Sequence, residues 1–137
     1  MKKQPLATDV GGVIKEHKRF EGDVRWVPGA RWALCRLSRM YKLHIISHVK
    51  PDEEVRLRKL LKDSFVHYYI AEKNWHFVYT RQDKINVMKR YNINTLIDDR
   101  PDIIEWVEES GLRGILFRSK TFPDWCTVVR ALKSFCK

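Results

Sequence analysis

Alternation constrains this chain most. Short apolar runs at residues 6–10, 43–47, 66–70, 95–98 and 114–117 are separated by stretches whose apolar residues recur every three or four positions. The third run is expected to continue after a turn at 77–79. Strands that alternate with helices pair in parallel, because a parallel connection needs a long crossover, usually a helix. The expected fold is therefore α/β: a three-layer, Rossmann-like parallel sheet with helices on both faces. Ala30, Ala33, Leu34, Leu37 and Tyr41 give one apolar helical face, with Arg31, Arg39 and Lys42 off it. Pro51 is expected in the first turn of the next helix, with Asp52, Glu53 and Glu54 at its positive end and Lys59 and Lys62 at its negative end. Further helices are predicted over 84–91, 101–110 (stopped by Gly111) and 124–135. There is no repeat, low-complexity segment or linker, so 1–137 reads as a single domain, long enough to bury a core.

In an open parallel sheet, ligands bind beyond the carboxyl ends of the strands. Three predicted strands end there in polar groups: "LATDVGGVI" at Asp9, "LHIIS" at Ser47 and "TLIDD" at Asp98 and Asp99. Taken singly, these are turn caps or helix caps, and Lys84 an ordinary surface lysine; together they read as a site. Asp9 beside Asp98 and Asp99 gathers negative charge that calls for a cation. Oxygen ligands of this kind suit Mg²⁺, which favours phosphate co-ligands. Lys84, fourteen residues before Asp98, supplies a fixed positive charge. Gly11 and Gly12 let the backbone approach a ligand and offer N–H groups to a phosphate.

The formal charge is +10, distributed unevenly. Residues 15–62 carry 13 Lys/Arg against 6 Asp/Glu, and residues 113–137 carry 6 against 1, while 63–112 carry 6 against 9. Such a field favours anionic partners such as nucleotides, nucleic acid or other phosphate esters, although scattered lysines also simply solvate a surface. No apolar run approaches the ~20 residues of a membrane helix, and the start lacks the apolar stretch of a signal peptide. Three cysteines, Cys35, Cys126 and Cys136, have no metal-ligand spacing, which favours buried free thiols and an intracellular setting, cytoplasmic or nuclear. Trp32, Trp106 and Trp125 fall in helical segments and read as packing. Trp26 and Trp75 fall in predicted loops near basic residues, where they could stack bases. His44, His48, His67 and His76 show no zinc-binding spacing. Nothing in the sequence fixes an oligomeric state.

These residues resemble the haloacid dehalogenase superfamily, whose four short motifs occur in the same order. "LATDVGG" matches the first, with Asp9 at the nucleophile position; "HIIS" the second, with Ser47; "RQDK" the third, with Lys84; and "LIDDRPD" the fourth, with Asp98 and Asp99. The resemblance spans about residues 5–118 and implies an Mg²⁺-dependent phosphohydrolase acting through an aspartyl-phosphate on Asp9. It further implies metal ligands at Asp9, the Gly11 carbonyl, Asp99 and, directly or in support, Asp98. A substrate phosphate would contact Gly11, Gly12, Ser47, His48 and Lys84.

The sequence departs from that pattern twice. Family phosphatases usually carry a second aspartate two residues after the nucleophile, serving as general acid and base; here Gly11 stands there. Such help is worth roughly 10²–10⁴-fold in rate, so slow turnover or an altered reaction is expected, with His17, Asp23 or His48 as candidate replacements. Members that cleave carbon–halogen bonds also lack this acid, but they do not need the metal that Asp98 and Asp99 imply. Second, only 37 residues separate Asp9 from Ser47, too few for a large cap. An open, basic site is expected to reach bulky substrates such as a nucleic-acid phosphate end or a nucleotide. The competing reading is a catalytically impaired module that binds nucleic acid or a protein partner.

Overall fold

The structure is a computed structural model that describes residues 2–17 and 25–135. Its strands are β1 (Gln4–Thr8), β2 (Tyr41–His48), β3 (Trp75–Val78), β4 (Thr95–Asp98) and β5 (Arg113–Leu116). Its helices are α1 (Ala30–Met40), α2 (Glu54–Asp63), α3 (Asp83–Arg90), α4 (Pro101–Glu109) and α5 (Trp125–Phe135). All pairings are parallel, in the order β3-β2-β1-β4-β5. The chain steps outward from β1 through β2 to β3, then returns across β1 to lay down β4 and β5. The order therefore reverses between β1 and β4, which places the crevice of a doubly wound sheet there.

Successive strand residues face opposite sides, and both sides are buried. Leu6, Leu43, Ile45, Ile97 and Ile115 pack with Leu34 and Leu37 of α1, Leu57 and Leu61 of α2, and Val128 and Leu132 of α5. Their neighbours Ala7, Ile46, Val78 and Leu96 face the other way, against Met88 of α3 and Ile103 and Val107 of α4. The three-layer α/β architecture expected from the alternation is thus present. Among the described residues, no large cap interrupts it. Residues 10–17 turn tightly, with the Gly12 N–H donating to the Lys15 carbonyl at 2.7 Å, and Lys15 bridges antiparallel to Trp26. Among the described residues, no helix is long and apolar enough to cross a membrane.

Several local expectations are corrected. The run at 66–70 is not a strand: Val66–Tyr68 is a 3-10 turn. Val66 and Ile70, four apart, are its buried residues, which is turn spacing rather than strand alternation. The third strand comes later, at Trp75–Val78, beside the predicted continuation. Tyr41 does not extend α1 but opens β2 with no intervening loop, and its hydroxyl donates to the Leu132 carbonyl of α5 at 2.7 Å. Pro51 precedes α2 by three residues, in a turn. Trp32 and Trp106 point largely to solvent, at 46% and 39% exposed, whereas Trp125 is core. Trp75 is no loop platform: it is buried in β3 and donates its ring N–H to the Ile70 carbonyl at 2.9 Å. Trp26 is half-buried beneath the Lys15 ammonium, 4.8 Å from its ring centre. Of the cysteines, Cys35 is half-buried and Cys126 exposed, so neither is the buried thiol expected; Cys136 lies outside the described residues.

Candidate active site

The polar strand ends converge at the switch point. Asp9 follows the last residue of β1, and its N–H donates to the Ile97 carbonyl of β4 at 2.9 Å, which fixes the first carboxylate beside the fourth strand. Asp98 closes β4 and is fully buried. Lys84, in the first turn of α3, inserts between them, with Nζ 2.7 Å from Asp98 Oδ2 and 3.3 Å from Asp9 Oδ1. The remaining oxygen of Asp98, Oδ1, accepts from the Arg100 N–H at 3.1 Å. Burial opposes the lysine's charge, but the attraction of Asp9 and Asp98 outweighs it and raises the Lys84 pKa. Burial and then repulsion from Asp9 push Asp98 up to about 6, against the pull of Lys84.

One carboxylate oxygen is left over. Asp99 Oδ2 meets His17 Nε2 at 2.8 Å, but Asp99 Oδ1 is buried with no hydrogen-bond partner among the described residues. An unpartnered buried acceptor of this kind costs roughly 1–3 kcal/mol. Asp9, Asp98 and Asp99 each bring an oxygen within 4.8 Å of the others. Three carboxylates and one ammonium carry a net charge that a divalent cation neutralises. The donor set therefore fits Mg²⁺, with Asp9 and Asp99 better placed as ligands than Asp98, whose oxygens Lys84 and the Arg100 N–H already occupy. Gly12 packs against the same group: it has φ of +77°, and a Cβ there would collide with Asp99 Oδ2 and the His17 ring.

A cavity of about 420 Å³ opens onto these groups, lined by Asp9, Gly11, His17, Ser47, His48, Glu53, Arg81, Lys84, Asp99 and Arg100. That volume is in the range of small-molecule sites. Of the expected residues, Asp9, Gly11, Ser47, His48, Lys84 and Asp99 line it, and Asp98 stands behind Lys84. Ser47 is buried at the end of β2; His48 is exposed and donates from Nε2 to the Tyr79 carbonyl at 3.2 Å. Gly12 stands apart, since its N–H is already given to Lys15 and cannot serve a phosphate. Among the candidate replacements for the missing acid, His17 and His48 reach the cavity, and Asp23 lies outside the described residues. Sequence reasoning passed over Arg81, Arg100 and Glu53. The signal for the arginines was present: Arg81 stands one helical turn before Lys84, and Arg100 directly follows the paired acids.

The sequence matches no protein-family model and no curated protein. Solved structures do match. A haloacid dehalogenase-like hydrolase of Burkholderia xenovorans LB400 is 12% identical with TM-score 0.69, over 90% of this chain and 85% of that one. A chain of the Pnkp1/Rnl/Hen1 RNA repair complex is 13% identical with TM-score 0.64, over 85% of this chain and 42% of that one. A haloacid dehalogenase-like family hydrolase of Xanthomonas campestris is 14% identical with TM-score 0.62, over 85% of this chain and 59% of that one. The chain has the haloacid dehalogenase-like hydrolase fold.

Proposed function

We propose that the protein is a phosphohydrolase that uses Asp9 as nucleophile and requires Mg²⁺. The carrying observation is the buried Lys84 held between Asp9 and Asp98, beside an Asp99 oxygen that has no partner among the described residues. Asp9, Asp99 and the Gly11 carbonyl would hold the ion, with Asp98 in support. The ion would neutralise charge on the transferring phosphoryl group. An Asp9 oxygen attacks phosphorus, the ester P–O bond breaks, and the alcohol leaves with a proton from solvent or a cavity histidine. Water then attacks the phosphorus of the aspartyl-phosphate, releasing inorganic phosphate and restoring the carboxylate. Ser47 donates a hydrogen bond to the phosphoryl oxygens, while Lys84, 3.3 Å from Asp9 Oδ1, orients the nucleophile. Gly11 provides no acid, so turnover is expected to be slow. Similarity to a chain of an RNA repair complex, with the net charge of +10, supports a nucleotide or nucleic-acid phosphate end as substrate.

The test is phosphate release from an aryl phosphate and from 5′- and 3′-phosphorylated oligonucleotides, with Mg²⁺ or EDTA. Wild-type release that needs Mg²⁺ and falls to background in Asp9→Asn is expected. Gly11, unlike Gly12, is not among the glycines with positive φ, so its backbone accepts a side chain. Gly11→Asp should then raise turnover, up to the roughly 10²–10⁴-fold that general acid–base catalysis supplies. Silence in all three proteins, with oligonucleotide binding that survives Asp9→Asn and chelation, would instead establish a binding module.

A further inference from the structure

The catalytic cavity has a second cationic element that hydrolysis of a simple monoester does not require. Arg81 and Arg100 line the same cavity as Asp9, Ser47 and Lys84 but come from different loops, before α3 and before α4. One carboxylate tethers both: Arg81 Nη1 lies 3.3 Å from Asp102 Oδ2, and Arg100 Nε lies 3.3 Å from Asp102 Oδ1. Desolvation works to raise the Asp102 pKa, but the hydrogen bond and charge of Arg100, the Ile103 N–H and the charge of Arg81 together lower it. The arginine side chains remain 40% and 47% exposed. Ion pairs this exposed contribute only about 0–1 kcal/mol, so stability does not account for the arrangement. Its electrostatic consequence is larger. Lys84 is spent on Asp9 and Asp98, whereas Arg81 and Arg100 share the single carboxylate of Asp102 and keep donors for a ligand in the cavity they line with Glu53. Guanidinium is also the side chain that best matches phosphate, through paired parallel donors.

We propose that Arg81 and Arg100, positioned by Asp102, form a subsite for a second phosphate, so that the substrate is a phosphomonoester carrying another phosphate nearby. The inference rests on the phosphohydrolase reading for which phosphate is cleaved, but the subsite itself is a binding property. A nucleoside bisphosphate and the phosphorylated end of an oligonucleotide both carry this chemistry.

The experiment has two arms. Calorimetry with the Asp9→Asn protein in Mg²⁺ compares adenosine 3′,5′-bisphosphate with adenosine 5′-monophosphate and adenosine 3′-monophosphate, alone and combined with Arg81→Ala or Arg100→Ala. Kinetics of the Asp9-intact protein compare kcat/KM for an aryl phosphate, the bisphosphate and a phosphorylated trinucleotide, with the same arginine substitutions. The expected result is bisphosphate binding at least about tenfold tighter than either monophosphate, a preference that each arginine substitution reduces by about tenfold. Both arginines are exposed, so the variants should keep the wild-type melting temperature. Preference for the trinucleotide would identify a polynucleotide end as the source of the second phosphate, and preference for the bisphosphate a free nucleotide. Equal affinity for mono- and bisphosphate, or a preference that neither substitution changes, overturns the subsite. Absence of turnover on every substrate would instead overturn the hydrolase reading, with the calorimetric preference still deciding the subsite.

Discussion

Lys84, Asp9 and Asp98 at the carboxyl end of the sheet can be set against His44 and His76 nearer its amino end. Both groups bury titratable side chains, and they meet the cost of desolvation in opposite ways. In the first, Lys84 holds its charge because it faces carboxylates: Nζ is 2.7 Å from Asp98 and its pKa is raised, although burial and Asp9 still push Asp98 up to about 6. In the second, the charge is given up. His44 Nδ1 lies 3.0 Å from His76 Nε2, the rings stack at 5.3 Å, and Tyr91 packs on His76 at 4.5 Å. Burial, then repulsion from His76 and Lys42, lowers His44 to about 4, and burial lowers His76 as well. The neighbouring cavity, about 730 Å³, includes three tyrosines, three lysines and two asparagines in its lining, and no acid among the described residues that line it. The difference is the counter-ion: Lys84 has carboxylate oxygens within 3.3 Å, whereas burial drives His44 to shed its charge.

The largest effect that would sharpen this contrast is expected from Lys84→Met. It leaves Asp98 buried without its counter-ion, and removing one member of such a pair costs roughly 3–5 kcal/mol. Denaturant unfolding would read this directly, and a loss below about 1 kcal/mol would mean that the ammonium does not hold the carboxylates.

Acid comes next. The folded-state pKa of His44, about 4, lies below the unfolded value of about 6.5, so the unfolded chain takes up this proton first. Stability contributed by neutral His44 is therefore present above about pH 6.5 and lost as pH falls towards 4. After discounting for solvent screening, the loss is on the order of 2 kcal/mol. His44→Asn should flatten the pH dependence of thermal unfolding across that window. An unchanged slope would break the contrast from the histidine side.

The smallest effect is that of the metal. Mg²⁺ at tenfold excess over its dissociation constant should stabilise the protein by about 1.4 kcal/mol, and Asp99→Asn should abolish the shift. An Mg²⁺ shift in melting temperature that persists in Asp99→Asn would place the ion elsewhere.

Much of this was legible in advance because it depends on local pattern. The alternation of apolar runs with helical spacing foretold the three layers, and acids ending two strands foretold which polar side chains the fold brings together. The failures have one cause. Val66 and Ile70 form an apolar run like those of the strands, but Phe65 takes φ of +61° and turns the chain, so the run becomes a 3-10 turn and strand pairing passes to Trp75–Val78. Trp32 and Trp106 carry helical spacing yet lie at the edges of their buried faces, which no count of residues reveals. Arg81 and Arg100 looked like surface charge until the fold brought both to Asp102.

The sequence by itself determined the fold class, the strand ends that bear Asp9, Ser47 and Asp98, and the absence of a side chain at Gly11, since each follows from residue type and spacing along one chain. Only the tertiary structure decided that Lys84 lies between two particular carboxylates, that one oxygen of Asp99 has no partner among the described residues, and that His44 and His76 face each other. Ion pairing and desolvation depend on distances of a few ångströms between residues distant in sequence, and those distances exist only once the sheet has closed around its switch point.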